Sequence, residues 1–336
     1  ERLEANETKP ATYLHGAWGF DLDADLKLEQ VAVNGHKFPR VAVTTEISPR
    51  QAFLDLHMAH ESGSQLFVTG RTSEWLTSEK DITIDRIKLV VPDTDIVAIN
   101  ERPIEIKASK ERLTLSSFNL ISEGAVLTAD GHVDLIDGAP AEGHYLRAML
   151  KDVDLEKVAR YWKEVKPLGG IVSLNLISEG PLKRPRVQTD LSVSQGSIYD
   201  SIFPHISLST FYENEQITGE ASVFNQEEKS LLLSGTLRAK MALQPLSFVL
   251  HEESLDALVE IKGLALSELP LPTRRGLTYE GIVDATIHMA GKVTAPSLRG
   301  DLKLSDGSLY LSDPPLTYED IDVEARGLPH RLIVEK

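Results

Sequence analysis

Asp21, Asp23 and Asp25 alternate near the start of the chain. Carboxylates at that spacing open a calcium loop, in which alternate side chains wrap one cation. Leu26 stands where such a loop needs glycine for its sharp turn, and Ala32 where a bidentate glutamate closes it. With Leu22, Ala24, Leu26 and Leu28 interleaved, the series reads as the wet face of a strand. His57 and His60, with Glu61 beside them, have a spacing that suits a metal ion, but no third ligand lies near and the other histidines are scattered singly. The chain holds no phosphate-binding Gly-x-x-x-x-Gly-Lys-Ser/Thr, no dinucleotide fingerprint, no Gly-x-Ser-x-Gly elbow and no His-Glu-x-x-His. Carboxylates are abundant, yet nothing marks out a pair at the separation acid–base work requires. No catalytic residue, metal ligand or cofactor is assigned, and the expectation is a protein that is not an enzyme.

Composition narrows the remaining classes. The 336 residues are 41% hydrophobic but only 6% aromatic, so Leu, Ile and Val supply the apolar surface, which suits strands. A formal net charge of -16 repels phosphate backbones and excludes nucleic acid as a natural partner. It also opposes an anionic membrane surface, so a lipid is expected to be held by its acyl chains and not by a basic headgroup patch. The absence of cysteine removes disulfides, thiolate metal sites and thiol nucleophiles together. No run reaches the ~18 apolar residues of a membrane-spanning helix. The start at Glu1-Arg2-Leu3-Glu4, without a leader, and the stop inside the strand-like Leu332-Ile333-Val334 give the expectation of a segment from a longer protein.

The elements that carry these residues are strands. Period-two alternation runs through Leu22–Leu28 and returns at Ile104-Glu105-Ile106, Leu113-Thr114-Leu115, Leu174-Asn175-Leu176, Leu302-Lys303-Leu304 and Ile321-Asp322-Val323. Each run has one apolar and one polar face, as in antiparallel sheet wet on one side. Turns are expected at Asn34-Gly35, Asp130-Gly131, Asp137-Gly138, Gln195-Gly196 and Asp306-Gly307. At Asp306-Gly307 a two-residue hairpin loop would pair Ser305 with Ser308, Leu304 with Leu309, and Leu302 with Leu311, placing all four leucines on one face.

An internal repeat spaced by 111 positions organises the second half. Gly170, Ile171 and Val172 return as Gly281, Ile282 and Val283; Gly180 and Pro185 as Gly291 and Pro296. Asp190, Leu191 and Ser194 return as Asp301, Leu302 and Ser305; Gly196, Ser197 and Tyr199 as Gly307, Ser308 and Tyr310. Leu150-Lys151 and Leu155 match Ile261-Lys262 and Leu266 upstream. A strand unit that cannot bury its apolar face alone stacks on its copies. One short amphipathic helix interrupts the pattern near 154–165, with Leu155, Val158, Ala159, Trp162 and Val165 at helical spacing and Asp154 as N-cap. Its counterpart around Ser267 to Pro272 is broken by prolines and reads as a turn.

Residues Gly281 to Leu332 run strand, Gly291, Pro296, Gly300, strand, Asp306-Gly307, strand, Tyr318-Glu319-Asp320-Ile321. That order resembles the C-terminal repeats of the TamB branch of the AsmA-like envelope proteins. Gly170 to Tyr199 resembles them more loosely, with Thr189 in the place of Gly300, and so does Arg112 to Leu135. The resemblance covers roughly residues 85–336 and fades before them. It divides the chain into a β-rich region over 1–84, a partial repeat over 85–149, a repeat unit over 150–260 and a second copy over 261–336.

The resemblance implies an elongated, curved antiparallel sheet, a taco-like or U-shaped β groove with an apolar interior. The protein would be anchored in the inner membrane of a double-membrane bacterium and cross its periplasm, conducting phospholipid towards the outer membrane. It implies an outer-membrane barrel partner of the TamA type as well. The residues expected to line the groove and solvate phospholipid acyl chains are Val172, Leu174, Leu176, Leu191, Val193, Val283, Ile287, Leu302, Leu304, Leu309 and Leu311. The pattern alone also permits the same face to be closed between two packed sheets. Two other functions fit an all-β repeat: a scaffold that pairs its strand edges with assembling outer-membrane proteins, and a solenoid acting on polysaccharide, which would show a shallow polar cleft with clustered carboxylates and aromatic rings.

Overall fold

The computed structural model describes residues 12–13, 21–33, 36–48, 50–73, 78–92, 96–136, 139–159, 168–198, 201–225, 228–252, 254–266, 277–312, 315–328 and 331–334. The protein is all-β, and its strands divide between two compact units, Glu1–Lys151 and Asp152–Lys336.

The first unit begins with β1 (Thr12–Tyr13), β2 (Asp21–Val33), β3 (His36–Ile47), β4 (Gln51–Ala59), β5 (Gln65–Ser73) and β6 (Lys80–Val90). It continues with β7 (Val97–Ile99), β8 (Ile104–Ala108), β9 (Arg112–Ser122), β10 (Ala125–Ile136) and β11 (Ala139–Asp154). Each strand pairs antiparallel with the next, except that β7 and β8 share the slot between β6 and β9. The Asn100 amide fills the break between those two short strands. Its Oδ1 accepts from Ile87 N at 2.5 Å, and its Nδ2 donates to Asp85 O at 3.0 Å, so backbone groups of β6 that lose a strand partner keep a hydrogen bond.

The second unit holds a helix, α1 (Leu155–Ala159), then β12 (Leu168–Gly180), β13 (Arg186–Ile198), β14 (Ser201–Glu213), β15 (Gln216–Asn225) and β16 (Glu228–Leu243). After these come β17 (Leu246–Leu250), β18 (Leu255–Ala265), β19 (Leu277–Lys292), β20 (Ala295–Ser312), β21 (Pro315–Leu328) and β22 (Arg331–Val334). Pairing is antiparallel and sequential, except that β16 pairs with both β17 and β18. Asp154 caps α1, accepting a 2.9 Å hydrogen bond from Glu156 N as an N-cap does. Trp162 and Val165 of the expected helix, and the turn around Ser267 to Pro272, lie outside the described residues.

Three of the expected turns lie instead inside long strands, two of them as β-bulges and the third opposite one. Asp306-Gly307 sits in the middle of β20, where two residues oppose the single Gly281 of β19. Asp306 takes φ +52, a conformation Asp tolerates better than most residues. Gln195-Gly196 does the same in β13 opposite Gly170, with Gln195 at φ +52. Asp130-Gly131 lies within β10, beside a bulge that Ser117 forms at φ +60 in β9. An Asp-Gly pair supplies the same left-handed residue to a tight hairpin and to a bulge, so its identity does not separate the two. The four leucines still share a face: the extra residue in β20 shifts the alternation by one, so Leu302 and Leu304 match Ala285 and Val283 while Leu309 and Leu311 match Tyr279 and Leu277. Asp137-Gly138 and Asn34-Gly35 lie outside the described residues, although Val33 pairs with His36 across the latter.

The spacing of 111 is therefore a spacing of bulges. Asp152 and Gly263 occupy equivalent positions with φ +55 and +57. In one copy Asp152 N donates to Ser173 Oγ at 3.3 Å; in the other Gly263 N donates to Asp284 Oδ1 at 2.9 Å. The amide freed by the bulge at Gly263 thus finds a side-chain acceptor on the following strand, and the equivalent amide of Asp152 is met in the same way. A further bulge at Asp320, φ +54, carries the irregularity from β20 into β21, where Gly307 pairs with Ile321. A side chain at Gly307 has no room: its Cβ would stand 2.5 Å from Ile321 O and 3.1 Å from Ile321 Cβ. Gly307→Val is expected to lower stability by about 1–3 kcal/mol through overpacking. Gly219→Ala, whose nearest neighbour would be Thr210 Cγ2 at 3.4 Å, should stay within about 0.5 kcal/mol of the parent. Urea midpoints of the two variants check the contrast.

Candidate functional site

Directly opposed residues of antiparallel strands point to the same side of the sheet, so the register of the second unit defines its two faces. One row runs Val172, Val193, Ile206, Val223, Leu231, Ile261, Ala285, Leu302, Ala325 and Val334. The next runs Leu174, Leu191, Leu208, Ala221, Leu233, Val259 and Ile287, ending on Gly300 and Gly327. A third begins at Leu176 and ends on Ala257, Met289 and Leu298, with Thr189, Thr210, Gly219 and Gly235 between. Beyond the bulges Leu264, Val283, Leu304 and Val323 form a fourth. No charged residue enters these rows.

All eleven residues expected from the sequence fall on this face. Val172, Leu174, Leu176, Leu191 and Val193 occupy β12 and β13; Val283 and Ile287 occupy β19; Leu302, Leu304, Leu309 and Leu311 occupy β20. Of the eleven only Val283 is buried, at 5% exposure, and the other ten are half-buried. Two sheets packed face to face would seal such positions, whereas these ten keep part of their surface exposed. Ten strands at a spacing of about 4.8 Å carry the first row roughly 43 Å across the strands.

Ile206, Leu208, Val223, Val259 and Ile261 belong to the face as fully as the named residues, and alternation in Ile206-Ser207-Leu208 or Val259-Glu260-Ile261 could have found them. Leu231-Leu232-Leu233 could not be divided by pattern. Register places Leu231 and Leu233 on the apolar face and Leu232 on the other, paired with Ser222 and Glu260.

The opposite face is polar. Ser173, Ser192, Ser207 and Ser222 form one row, with Ser207 Oγ and Ser222 Oγ 3.2 Å apart. A recess of about 810 Å³ opens on this face, lined in part by Asp190, Phe211, Glu220, Asp256 and His288. Its carboxylates are engaged by their neighbours. Asp190 accepts from Ser209 Oγ at 2.8 Å and Gln188 Nε2 at 3.2 Å, and His288 Nε2 lies 2.7 Å from Asp256 Oδ1. Phe211 is the one phenyl or indole ring among the residues of this lining.

In the first unit, Thr44 Oγ1 donates to Asp25 Oδ1 at 2.7 Å, and Asp23 and Asp25 occupy the polar face of β2 opposite Glu46 and Thr44. His57 stacks on its cross-strand neighbour Phe67 with ring centroids 4.2 Å apart, while the His60 ring lies edge-on to Phe38 at 5.5 Å. Among the described residues no cluster of three His, Asp or Glu side chains could hold a metal ion, and no helix is long and apolar enough to cross a membrane.

The chain matches no protein-family model, no curated protein and no solved structure. The face is therefore tested directly. With no native cysteine, Leu191→Cys with Leu208→Cys, which are paired neighbours, should be joined by a short bifunctional maleimide in high yield. Leu191→Cys with Ser209→Cys, on opposite faces, should not. Gel mobility after unfolding reads the difference.

Proposed function

We propose that this chain is a non-enzymatic segment that holds phospholipid by its acyl chains along the apolar face of the second unit. The observation that carries the reading is the aliphatic row that crosses ten strands from Val172 to Val334, with a second beside it from Leu174 to Ile287 and no charged residue in either. Four same-face side chains along one strand, such as Val283, Ala285, Ile287 and Met289 of β19, extend about 20 Å, enough to cover one acyl chain, since a leaflet contributes half of the ~30 Å hydrocarbon core. Each methylene transferred from water to such a surface gains about 0.8 kcal/mol without any specific contact. Smooth aliphatic rows also let a chain slide, because one methylene is held much like the next. The resemblance of Gly281–Leu332 to the TamB branch of AsmA-like proteins supports the same reading. With it come the proposed setting, the periplasm between an inner-membrane anchor and the outer membrane, and a barrel partner of the TamA type.

Native mass spectrometry with lipid extraction, on the chain purified from bacterial cells, tests the proposal. Bound phospholipid is expected, and Leu304→Asn or Leu191→Asn should lower its occupancy at least about tenfold. Lys303→Asn, on the opposite side of the same strand, should leave it unchanged. A lipid-free mass that persists after incubation with liposomes, or equal losses from Leu304→Asn and Lys303→Asn, counts against it.

A further inference from the structure

Beyond Arg238 the strand β16 leaves the sheet and forms a two-stranded ribbon with β17, pairing Ala239 with Leu250, Met241 with Phe248, and Leu243 with Leu246. One edge of the ribbon is tied to the ends of the neighbouring strands. Ala239 N donates to Glu215 O at 3.0 Å, Met241 N to the Tyr212 hydroxyl at 2.9 Å, and Leu243 N to Leu182 O at 2.7 Å. Tyr212 is itself buried, at 4% exposure, and pairs with Ile217 and Val187 at the end of the apolar face. The ribbon thus lies across one end of that face, with β17 as its outer strand.

The outer strand is dressed for hydrocarbon. Leu246 is 84% exposed, Phe248 55% and Val249 56%. The run from Ala239 to Leu250 contains no carboxylate, in a chain whose net charge is -16. Its one charge is Lys240, and the 2.7 Å bond to Leu182 brings Lys183 and Arg184, both exposed, beside the turn. Glu215 and Glu252 lie at the base of the ribbon, near Arg238 and His251. Lys240 shares a face with Val249, its partner across the ribbon, and with Lys183 and Arg184 beside the turn these cations and the exposed apolar side chains complement an anionic lipid surface, although the whole chain carries the opposite balance.

We propose that the β16–β17 ribbon docks the second unit on an anionic phospholipid bilayer, setting the end of the apolar face against the membrane. The free backbone edge of β17 limits insertion to the interfacial zone, where water and headgroups still reach its N–H and C=O groups. The proposal deepens the acyl-chain reading by naming where lipid would enter or leave, but the docking itself does not depend on what the face carries.

Leu246→Cys provides a single thiol on the ribbon for an environment-sensitive fluorophore, and Val97→Cys, 40% exposed in the first unit, a control. On vesicles of phosphatidylethanolamine and phosphatidylglycerol at three to one, the label at position 246 should shift to shorter wavelength and the label at 97 should not. In flotation with the same vesicles, the unlabelled Leu246→Ser/Phe248→Ser variant should bind about ten- to a hundredfold more weakly. Lys240→Gln should weaken binding about fivefold, and only when phosphatidylglycerol is present. An unshifted label at 246, equal shifts at both sites, or undiminished flotation of the double serine variant overturns the proposal. So does self-association through the β17 edge in place of vesicle binding. Lipid that co-purifies while flotation fails leaves the acyl-chain reading standing without the docking; flotation by a chain that carries no lipid does the reverse.

Discussion

A single β layer has no second layer to hold its apolar side chains inward, so everything rests on cross-strand register. A slip of one residue in any strand would exchange its faces and break every row that crosses it. In the second unit ten strands keep the rows aligned, so that Val172 at one side and Ala325 near the other belong to one surface. Cohesion comes from neighbours in the same row, which cover one another enough to be half-buried but leave a side open. The serine row behind them asks little space, and with Ser222 buried at 2% exposure its hydroxyl is met by Ser207 Oγ across the strands.

Bulges are the second part of this constraint. Each one inserts a residue and would by itself invert the alternation beyond it. Gly170 against Gln195-Gly196, and Gly281 against Asp306-Gly307, show how the inversion is absorbed: the sequence on the far side is already written in the shifted phase. Leu302-Lys303-Leu304 and Leu309-Tyr310-Leu311 are out of phase as text and in phase as structure. Bulges also bend a strand and raise its twist, so glycine recurs where backbones approach too closely for a side chain, as at Gly307 against Ile321.

The strand class, the apolar positions and the repeat were legible because alternation and spacing are local properties of the text. What replaced the hairpin at Asp306-Gly307 was not legible, since a hairpin and a bulge place the same four leucines on the same face. The distinction lies in Gly281, 25 positions earlier in the chain, and no local window contains both. Leu231-Leu232-Leu233 was silent for a related reason: a continuous apolar run carries no phase, and only pairing with Val223 and Ala221 assigns one. The ribbon of β16 and β17 escaped because the exposed apolar residues of β17 imitate those of an ordinary strand.

The repeat has a consequence for how such a protein can change length. From β12 to β19 one copy contributes β12, β13, β14, β15, β16 and β18 to the sheet, six strands, with β17 set aside in the ribbon. Six is even, so the strand that opens the next copy runs in the same direction and presents the same side as its predecessor. Inserting or deleting a whole copy therefore conserves strand polarity and the apolar surface together, and changes the span by about 29 Å. A module with an odd number of strands would reverse the direction of its successor and put the bulge glycines at the wrong end of the sheet. Gene duplication in units of 111 codons is thus a structurally neutral way of fitting such a sheet to the distance it has to cover.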